Sequence, residues 1–343
     1  MQHEAGVSDE SLSLPTLASI RAAASRLEPY LPVTPLVPSA ALSSILGADV
    51  RIKVETVSPV ASFKARGALN HLLQARAEGT FETAVTSSTG NHGQGVARAA
   101  ALLGCKADIF LPRGSVSVKK RMIELLGGTL HEAGEDIDAA KDHARRFAQD
   151  RKAVFVDDGE SLAMMDGAGT VGLEIAAQAP DIERVYVPMG SGVLATGVAT
   201  AVKEMIPGAE VIAVQSQGAP AMVESFRARR PVERPIATFA DGIVCRVPAL
   251  RALKGVVERV DDCRLVSDEA ILSAMHAMLL WGHLLVEPGS AAVLARAHED
   301  RRELAGKRVA LIATGANVDG ALIARALTVK PLDADRSLPD NND

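Results

Sequence analysis

The chain has 343 residues, of which 48% are hydrophobic and 23% are charged, a balance typical of a globular protein with ample core. Its net charge of −5, without a basic cluster, argues against nucleic acid as the main partner. No apolar run approaches the roughly 18 residues that span a bilayer, and the acidic N-terminus lacks the apolar core of a signal peptide. The three cysteines are widely spaced and form no metal-ligand pattern. We therefore expect a cytoplasmic protein with no membrane partner.

The N-terminal part alternates between polar and apolar segments. Residues 1–14 are polar and are predicted to be disordered. The apolar spacing of 17–27 predicts a helix. The prolines between residues 32 and 38 require an extended backbone, and the run 50–54 is typical of a strand.

A single lysine then precedes a helix-forming run, in the stretch Ala61-Ser62-Phe63-Lys64-Ala65-Arg66-Gly67-Ala68. The run 65–77 predicts a helix, which places Lys64 at or just before the helix N-terminus, where the helix dipole is positive. An ammonium is disfavoured there, and burial beside Phe63 disfavours it as well, so the neutral amine needed for Schiff-base chemistry is favoured. A solvated lysine that begins a surface helix is the alternative that this stretch leaves open.

A second polar stretch, Ser87-Ser88-Thr89-Gly90-Asn91-His92-Gly93, lies between a strand predicted at 84–88 and a helix predicted at 94–103. Such a turn is rich in hydrogen-bond donors and lies at the carboxyl end of a strand, where open α/β sheets bind ligands. An ordinary strand-to-helix turn with a capping residue is the alternative interpretation.

Strand and helix patterns alternate over two regions, which indicates parallel sheets built from βαβ units. The first region has strands predicted at 84–88, 107–111, 128–131 and 153–156, with helices at 94–103, 118–126 and 137–149. The second has strands predicted at 184–187, 210–215 and 308–313. Its predicted helices are 170–178, a helix that follows residue 197 and ends at residue 204, and 318–327.

A glycine-rich turn in the second region, Gly190-Ser191-Gly192-Val193-Leu194, joins a strand to a helix. Backbone N–H groups in such a turn can close on an anion, and the helix dipole assists them. With Ala195 the turn also satisfies the dinucleotide fingerprint G-x-G-x-x-G/A, which requires an acidic residue about 20 positions further on. Gln215 stands at the end of the next predicted strand instead, which disfavours a dinucleotide.

The two motifs, S-F-K-x-R-G-A and S-x-G-N-H-x-Q, resemble those of the fold-type II pyridoxal-phosphate (PLP) enzymes, specifically the serine/threonine dehydratase and serine racemase branch. Similarity extends from about Pro15 to Val329, through the segments Thr34-Pro35-Leu36, Ile52-Lys53-Val54-Glu55, Phe239-Ala240-Asp241-Gly242-Ile243, Glu287-Pro288-Gly289-Ser290-Ala291-Ala292 and Thr314-Gly315-Ala316-Asn317-Val318-Asp319. The resemblance implies a two-domain α/β fold like that of the tryptophan synthase β subunit, in which each domain is a mostly parallel sheet flanked by helices. Residues 1–82 and 160–330 would form a large PLP-binding domain, 83–159 a small domain and 331–343 a disordered tail.

The resemblance also implies roles for individual residues. Lys64 would form the Schiff base with PLP and remove the α-proton of the substrate. Phe63 would lie by the pyridine ring, Asn91 would bond the phenolic oxygen and Thr314 would face the pyridine nitrogen. The phosphate would lie against Gly190, Ser191, Gly192, Val193 and Leu194, and the substrate carboxylate against Ser88, Thr89, Gly90, Asn91 and His92.

Four features of the sequence depart from the pattern of this branch. Thr89 stands where serine racemases have a serine on the second face of the substrate; its hydroxyl could still deliver a proton, but its methyl crowds that face. Ser191 and Val193 interrupt what is normally a run of four glycines. The segment 58–61 replaces the usual Gln and Thr-Gly, which puts the substrate's identity in doubt. Gln215 and Ala221 occupy the places of two acidic metal ligands, so we expect no metal there.

The function that follows is PLP-dependent β-elimination from a β-hydroxy amino acid such as L-threonine, L-serine or 3-hydroxyaspartate, giving a keto acid and ammonia. A racemase of the serine racemase type ranks below it because of Thr89. A β-replacement enzyme is disfavoured by His92, and a non-catalytic protein of the same fold by the presence of Lys64, Asn91 and Thr314 together. The resemblance further implies a small amino-acid substrate and a homodimer.

Overall fold

The computed structural model describes residues 12–113 and 118–333. The terminal segments that the sequence predicts to be disordered lie largely outside these ranges, at residues 1–11 and 334–343.

The described residues form ten strands and fourteen α-helices. The strands are β1 Leu36–Pro38, β2 Asp49–Val54, β3 Thr83–Ser87, β4 Lys106–Leu111, β5 Gly128–Glu132, β6 Val154–Phe155, β7 Arg184–Pro188, β8 Glu210–Ser216, β9 Asp262–Val266 and β10 Arg308–Ala313. The helices are α1 Leu17–Leu27, α2 Ala40–Leu46, α3 Lys64–Glu78, α4 Asn91–Leu102, α5 Val118–Leu125, α6 Ile137–Asp150, α7 Leu162–Gln178, α8 Val193–Met205, α9 Ala221–Ala228, α10 Leu250–Arg259, α11 Asp268–Leu280, α12 Pro288–Glu299, α13 Arg301–Leu304 and α14 Gly320–Leu327.

The strands make two sheets. The larger has the order β1-β2-β10-β7-β8-β9 and is parallel except for β1, which pairs antiparallel with β2. The smaller has the order β5-β4-β3-β6 and is parallel throughout. The predicted fold class, mostly parallel sheets flanked by helices, is confirmed. All strands of the smaller sheet fall within residues 83–159, which supports the proposed domain division without fixing its boundaries.

Helices α3, α4, α7 and α8 contribute buried residues to one continuous core cluster. Helix α7 begins at Leu162, where the Ser161 hydroxyl accepts the N–H of Met164, so it starts eight residues before the predicted position. The backbones approach closely here, because a Cβ at Gly167 would lie 2.7 Å from the carbonyl oxygen of Arg66. The glycines that weaken the helical signal in the sequence are therefore the residues that allow tight helix packing.

The carboxyl ends of four strands face one cleft. In the smaller sheet β3 leads into Ser88 and β6 into Asp157; in the larger, β7 leads into Met189 and β10 into Thr314. This is the edge at which parallel sheets bind ligands. None of the helices in the described part of the chain is both long and apolar enough to cross a membrane.

Candidate active site

Lys64 is the first residue of α3 and is held in place by the loop before it. In this loop Ala61 adopts a left-handed conformation with φ 49°, and the Ser58 hydroxyl accepts the N–H of Ser62 at 3.0 Å. The next N–H, that of Phe63, donates to the carbonyl oxygen of Thr314 at 2.9 Å. The start of α3 is thereby fixed to the carboxyl end of β10, so Lys64 and Thr314 open into the same cleft.

The cleft is a cavity of about 490 Å³ that brings together most of the predicted site residues. Twelve of them line it: Phe63, Lys64, Ser88, Thr89, Gly90, Asn91, His92, Gly190, Ser191, Gly192, Leu194 and Thr314. Val193 does not, because its side chain is 1% exposed and packs in the core. Only the backbone of Val193 is therefore available for the phosphate role that the resemblance implies.

The side chain of Lys64 forms an ion pair inside this cavity. Its Nζ donates to both carboxylate oxygens of Asp158, at 2.7 Å and 2.6 Å, and lies 5.1 Å from the centre of the Phe63 ring. The sequence did not predict this carboxylate partner, and the neutral amine expected of Lys64 stays a prediction. Burial raises the pKa of Asp158, but the Lys64 charge at 2.6 Å outweighs it, so the pKa lies below its ordinary value.

The glycine-rich turn, which the sequence predicts to bind a phosphate, lines the cavity with Gly190, Ser191 and Gly192. Gly192 precedes α8 with φ 90°, a left-handed conformation that favours glycine. A Cβ at Gly190 would lie 3.2 Å from the carbonyl oxygen of Val244, so the turn also passes close to a neighbouring loop. The N-terminus of α8 follows directly after this turn, and helix N-termini are a common place for phosphate to bind.

Thr314 is 3% exposed and lies on the wall next to the Lys64 loop. Its Oγ1 is 3.0 Å from the hydroxyl of Ser290, which in turn donates to the carbonyl oxygen of Gly315 at 2.9 Å. The Ser290 hydroxyl has one proton, and it donates that proton to the Gly315 carbonyl oxygen. Its oxygen therefore accepts a hydrogen bond from the Thr314 hydroxyl, or the one proton is shared between the two contacts. The Thr314 hydroxyl therefore has another hydroxyl as its hydrogen-bond partner.

The polar turn predicted to bind a carboxylate precedes α4. Gly90 caps the helix, and its N–H donates to the Ser88 hydroxyl at 3.1 Å. The ring of His92 is buried, with Nε2 2.9 Å from Thr86 Oγ1 and 3.2 Å from the Val156 carbonyl oxygen. Burial and the nearby Lys64 charge lower the pKa of His92, so the ring is neutral at physiological pH. Its Nδ1 has no hydrogen-bond partner among the described residues.

Asn91 is fixed by two side chains that sequence reasoning did not assign. Its Nδ2 lies 2.8 Å from each carboxylate oxygen of Glu287, and its Oδ1 accepts from Asn317 at 2.9 Å. Burial raises the pKa of Glu287, although the Lys119 charge and the Asn91 hydrogen bond act in the opposite direction. The amide of Asn91 is thus held in one orientation at the cavity wall.

Three further charged residues of the cavity were missed from the sequence. Asp158 lies 94 positions from its partner Lys64, and Lys119 pairs with Asp241 at 2.7 Å, from α5 to the segment after α9. The one available signal was the pair Asp157-Asp158 at the end of a predicted strand, since polar residues at such ends often face a ligand site.

The positions expected to lack a metal are occupied by groups with other contacts. The side-chain oxygen of Gln215 accepts the N–H of Val223 at 3.2 Å, and Ala221 is buried at the start of α9. The absence of a metal at this place stays a prediction.

Comparison with known proteins gives a consistent result. The sequence profile of the family described as pyridoxal-phosphate dependent enzymes matches residues 27–315. The chain is 35% identical to an L-threonine ammonia-lyase from Thermotoga maritima over 315 residues, which cover 91% of this chain and 78% of that protein.

Two solved structures extend the similarity to the fold. A threonine deaminase isoform 2 from Solanum lycopersicum superimposes with a TM-score of 0.86 at 30% identity, covering 91% of this chain and 86% of that one. Maize serine racemase superimposes with a TM-score of 0.84 at 29% identity, covering 92% and 98% of the two chains. Both proteins belong to the branch that the sequence motifs indicate.

Proposed function

The chain belongs to the family of pyridoxal-phosphate dependent enzymes, and on that premise we propose that it converts a β-hydroxy amino acid to a keto acid and ammonia by β-elimination. The coarser assignment, a PLP-dependent ammonia-lyase, follows from the family and from its threonine ammonia-lyase relatives. L-threonine, L-serine and 3-hydroxyaspartate are the substrates we propose. The observation that carries the proposal is that Lys64, the 190–192 turn and Thr314 share one cavity.

The residues of the cavity fit PLP. Lys64 offers the primary amine that the cofactor aldehyde requires, and the left-handed Gly192 leaves the backbone at the start of α8 open to a phosphate. Thr314 offers a hydroxyl for the pyridine nitrogen, and the face of Phe63 lies on the same wall. When bound, PLP supplies an electron sink that makes the α-hydrogen of an amino acid acidic.

The remaining steps belong to side chains and backbone of this chain. Lys64 holds the cofactor and, once its amine is free, removes the α-proton. The start of α4, from Ser88 to His92, receives the substrate carboxylate on backbone N–H groups at a helix N-terminus. Asn91, oriented by Glu287 and Asn317, positions the phenolic oxygen. These roles are proposals that rest on the shared cavity and on the family resemblance.

The hydroxyl of Thr314 favours elimination. A hydroxyl leaves the pyridine nitrogen unprotonated, so the ring withdraws electrons less strongly than it does opposite a carboxylate. A weaker electron sink would favour prompt loss of the β-hydroxyl. Racemisation, which maize serine racemase represents among the similar structures, needs proton transfer on both faces, and the methyl of Thr89 crowds the second face.

The experiment is an assay of keto acid and ammonia over a panel of β-hydroxy amino acids of both β-configurations. We expect turnover of at least one of the three proposed substrates. Release of neither product from any of them, by protein that carries PLP, would contradict the proposal. Change of configuration at Cα without release of ammonia would support the racemase instead.

Two further features stay proposals. The family resemblance supports a homodimer, which sedimentation velocity would test. It also supports the cytoplasmic location, for which localisation of a tagged chain is the test.

A further inference from the structure

The Lys64–Asp158 pair has a property that the proposed function does not use. Both oxygens of Asp158 face Lys64 Nζ, and the Asp158 side chain is 30% exposed toward the cavity. The nearby cations Lys141 and Arg145 bind the neighbouring Asp157 instead, at 3.0 Å and 2.9 Å. Within the described ranges, Lys64 is therefore the one cation that Asp158 contacts.

The charge of Asp158 consequently depends on the state of the Lys64 amine. The other titratable groups that face Asp158 are His92, whose ring is neutral, and Asp157, whose negative charge favours protonation of Asp158. When Lys64 is not an ammonium, a carboxylate in this position has lost its only counter-charge and binds a proton more readily. Asp158 can thus exchange a proton directly with the nitrogen that reacts.

Dehydration also requires a proton at the β-hydroxyl of the substrate. Hydroxide is a poor leaving group, so departure of the β-hydroxyl is assisted by an acid within reach. The other carboxyls of the cavity wall have fixed partners: Glu287 bonds Asn91, and Asp241 pairs with Lys119. Asp157 pairs with Lys141, and Asp138 pairs with Arg246. Asp158 differs from them because its partner, Lys64, is itself a reacting group.

Resting on the proposed function, we infer that Asp158 is a second catalytic residue: it takes a proton from Lys64 and delivers it to the departing β-hydroxyl. The proton balance closes. Before reaction the pair holds one proton, as amine and carboxylic acid. Lys64 then takes the α-proton, the electrons of the Cα–H bond form the Cα–Cβ double bond, and the Cβ–O bond breaks. The Asp158 proton joins the leaving oxygen as water, which returns the pair to the ammonium and carboxylate seen in the structure.

The test compares two leaving groups on one skeleton. L-Serine loses hydroxide and needs the acid, whereas β-chloro-L-alanine loses chloride and does not. In Asp158→Asn we expect kcat on L-serine to fall by about 10²–10⁴-fold and kcat on β-chloro-L-alanine to fall far less. L-Threonine and its β-chloro analogue take their place if wild type prefers threonine. Asp241→Asn, which removes a carboxylate that lines the same cavity and pairs with Lys119 and leaves Lys64 and Asp158 in place, is the matched control and should affect both substrates equally.

A second readout needs no turnover. The Asp158 carboxylate accepts both hydrogen bonds from Lys64 Nζ, and Asp158→Asn removes that counter-charge, so we expect PLP uptake by the apoprotein to extend to lower pH in the variant than in wild type. It is measured by visible absorbance against pH. Should the asparagine variant take up no cofactor, Asp158→Ser removes the same acid and serves in its place.

The outcomes distinguish failure of the proposed function from failure of the proposed role of Asp158. No elimination from any hydroxy amino acid by wild type would refute the proposed function. Elimination by wild type together with equal losses on hydroxy and chloro substrates in the variant, or with no loss, would overturn the role of Asp158 alone. An unmoved limit of cofactor uptake would show that Asp158 does not govern the Lys64 amine, and would overturn it as well.

Discussion

The charged side chains on the cavity wall differ in their partners and in their pKa values. Three contacts of carboxylates on its walls involve side chains from distant parts of the chain: the ion pairs Lys64–Asp158 and Lys119–Asp241 and the hydrogen bond from Asn91 to Glu287. The pKa of Asp158 lies below its ordinary value and that of Glu287 above it, because Asp158 faces an ammonium directly and Glu287 is buried against a neutral amide. Similar carboxyls in one cavity are thereby suited to different tasks.

Thr89 is the residue that we expect to hold back racemisation. Replacing it as Thr89→Ser keeps the hydroxyl and removes the methyl that crowds the second face of the substrate. We predict a severalfold rise in the ratio of racemisation to elimination, measured on L-serine by chiral chromatography beside the keto-acid assay. Thr89→Val keeps the bulk and removes the hydroxyl, so it should lower that ratio; a rise in Thr89→Val would contradict the explanation.

Substitution of Thr314 tests whether its hydroxyl faces the pyridine nitrogen of PLP, as we propose. Thr314→Val is nearly isosteric and removes one hydrogen bond, which is worth about 1 kcal/mol, so we expect PLP affinity to fall by up to about tenfold. Fluorescence titration of the apoprotein with PLP measures it. Thr328→Val, at an exposed helix end, is the control and should leave the affinity unchanged. Equal affinities in Thr314→Val and wild type would mean that this hydroxyl does not face the cofactor.

At the scale of elements, the turn into α8 is the feature on which phosphate binding rests. In Gly192→Ala the left-handed backbone costs about 1–2 kcal/mol, and the new Cβ would meet Val256 at 2.9 Å. We predict lower thermal stability and weaker PLP binding in this variant. Gly208→Ala is the matched control, because an added Cβ at Gly208 meets nothing within 4 Å. Retention of full affinity in Gly192→Ala would argue against the turn as the phosphate site.

The elements show what the sequence could and could not predict. Strands such as β4 and β7 are short segments rich in apolar residues, and their predicted positions agree with the structure to within one residue. The start of α7 was missed because glycines such as Gly167 obscure the helical pattern, and they are there to let α3 approach. Helix α4 begins at Asn91, three residues earlier than predicted, because its first turn is the polar segment expected to be a loop.

The site was predictable where the chemistry lies in a local motif. Lys64, Asn91 and Thr314 were found from short motifs, and the structure brings them into one cavity. Asp158 and Glu287 were not found, because their roles come from partners 94 and 196 residues away in the chain. A sequence shows no such pairing until the two sheets are placed against each other.

At the scale of the whole molecule, a buried network of charges joins the larger sheet to α3 and α7. Lys53 is 0% exposed and pairs with Glu174 at 2.6 Å, and Arg66 pairs with Glu174 at 2.6 Å and with Glu55 at 2.8 Å. Removing one partner leaves the others buried and uncompensated. We predict that Glu174→Ala lowers the free energy of unfolding by about 3–5 kcal/mol, measured by urea denaturation.

The control and the pH dependence of that network follow from the same contacts. Glu78→Ala, at the exposed end of α3, should change stability by less than about 0.5 kcal/mol.

Burial raises the pKa of Glu174, but Arg66 and Lys53 outweigh it and hold the pKa below its usual value. Its contribution is therefore present above the unfolded value of about 4.3 and is lost as pH falls through the folded value. Glu174→Gln should show a shallower loss of stability in acid, and an identical slope would contradict this assignment.

The central claim is that Lys64 carries PLP in this cavity. The most direct measurement is borohydride reduction of the protein loaded with PLP, followed by mass spectrometry of its peptides. Reduction fixes the cofactor on whichever amine holds it. We predict the added mass on the peptide that contains Lys64, and its loss together with the visible absorption band in Lys64→Ala. Added mass on another lysine, or protein that stays colourless and unlabelled with PLP in excess, would contradict the account.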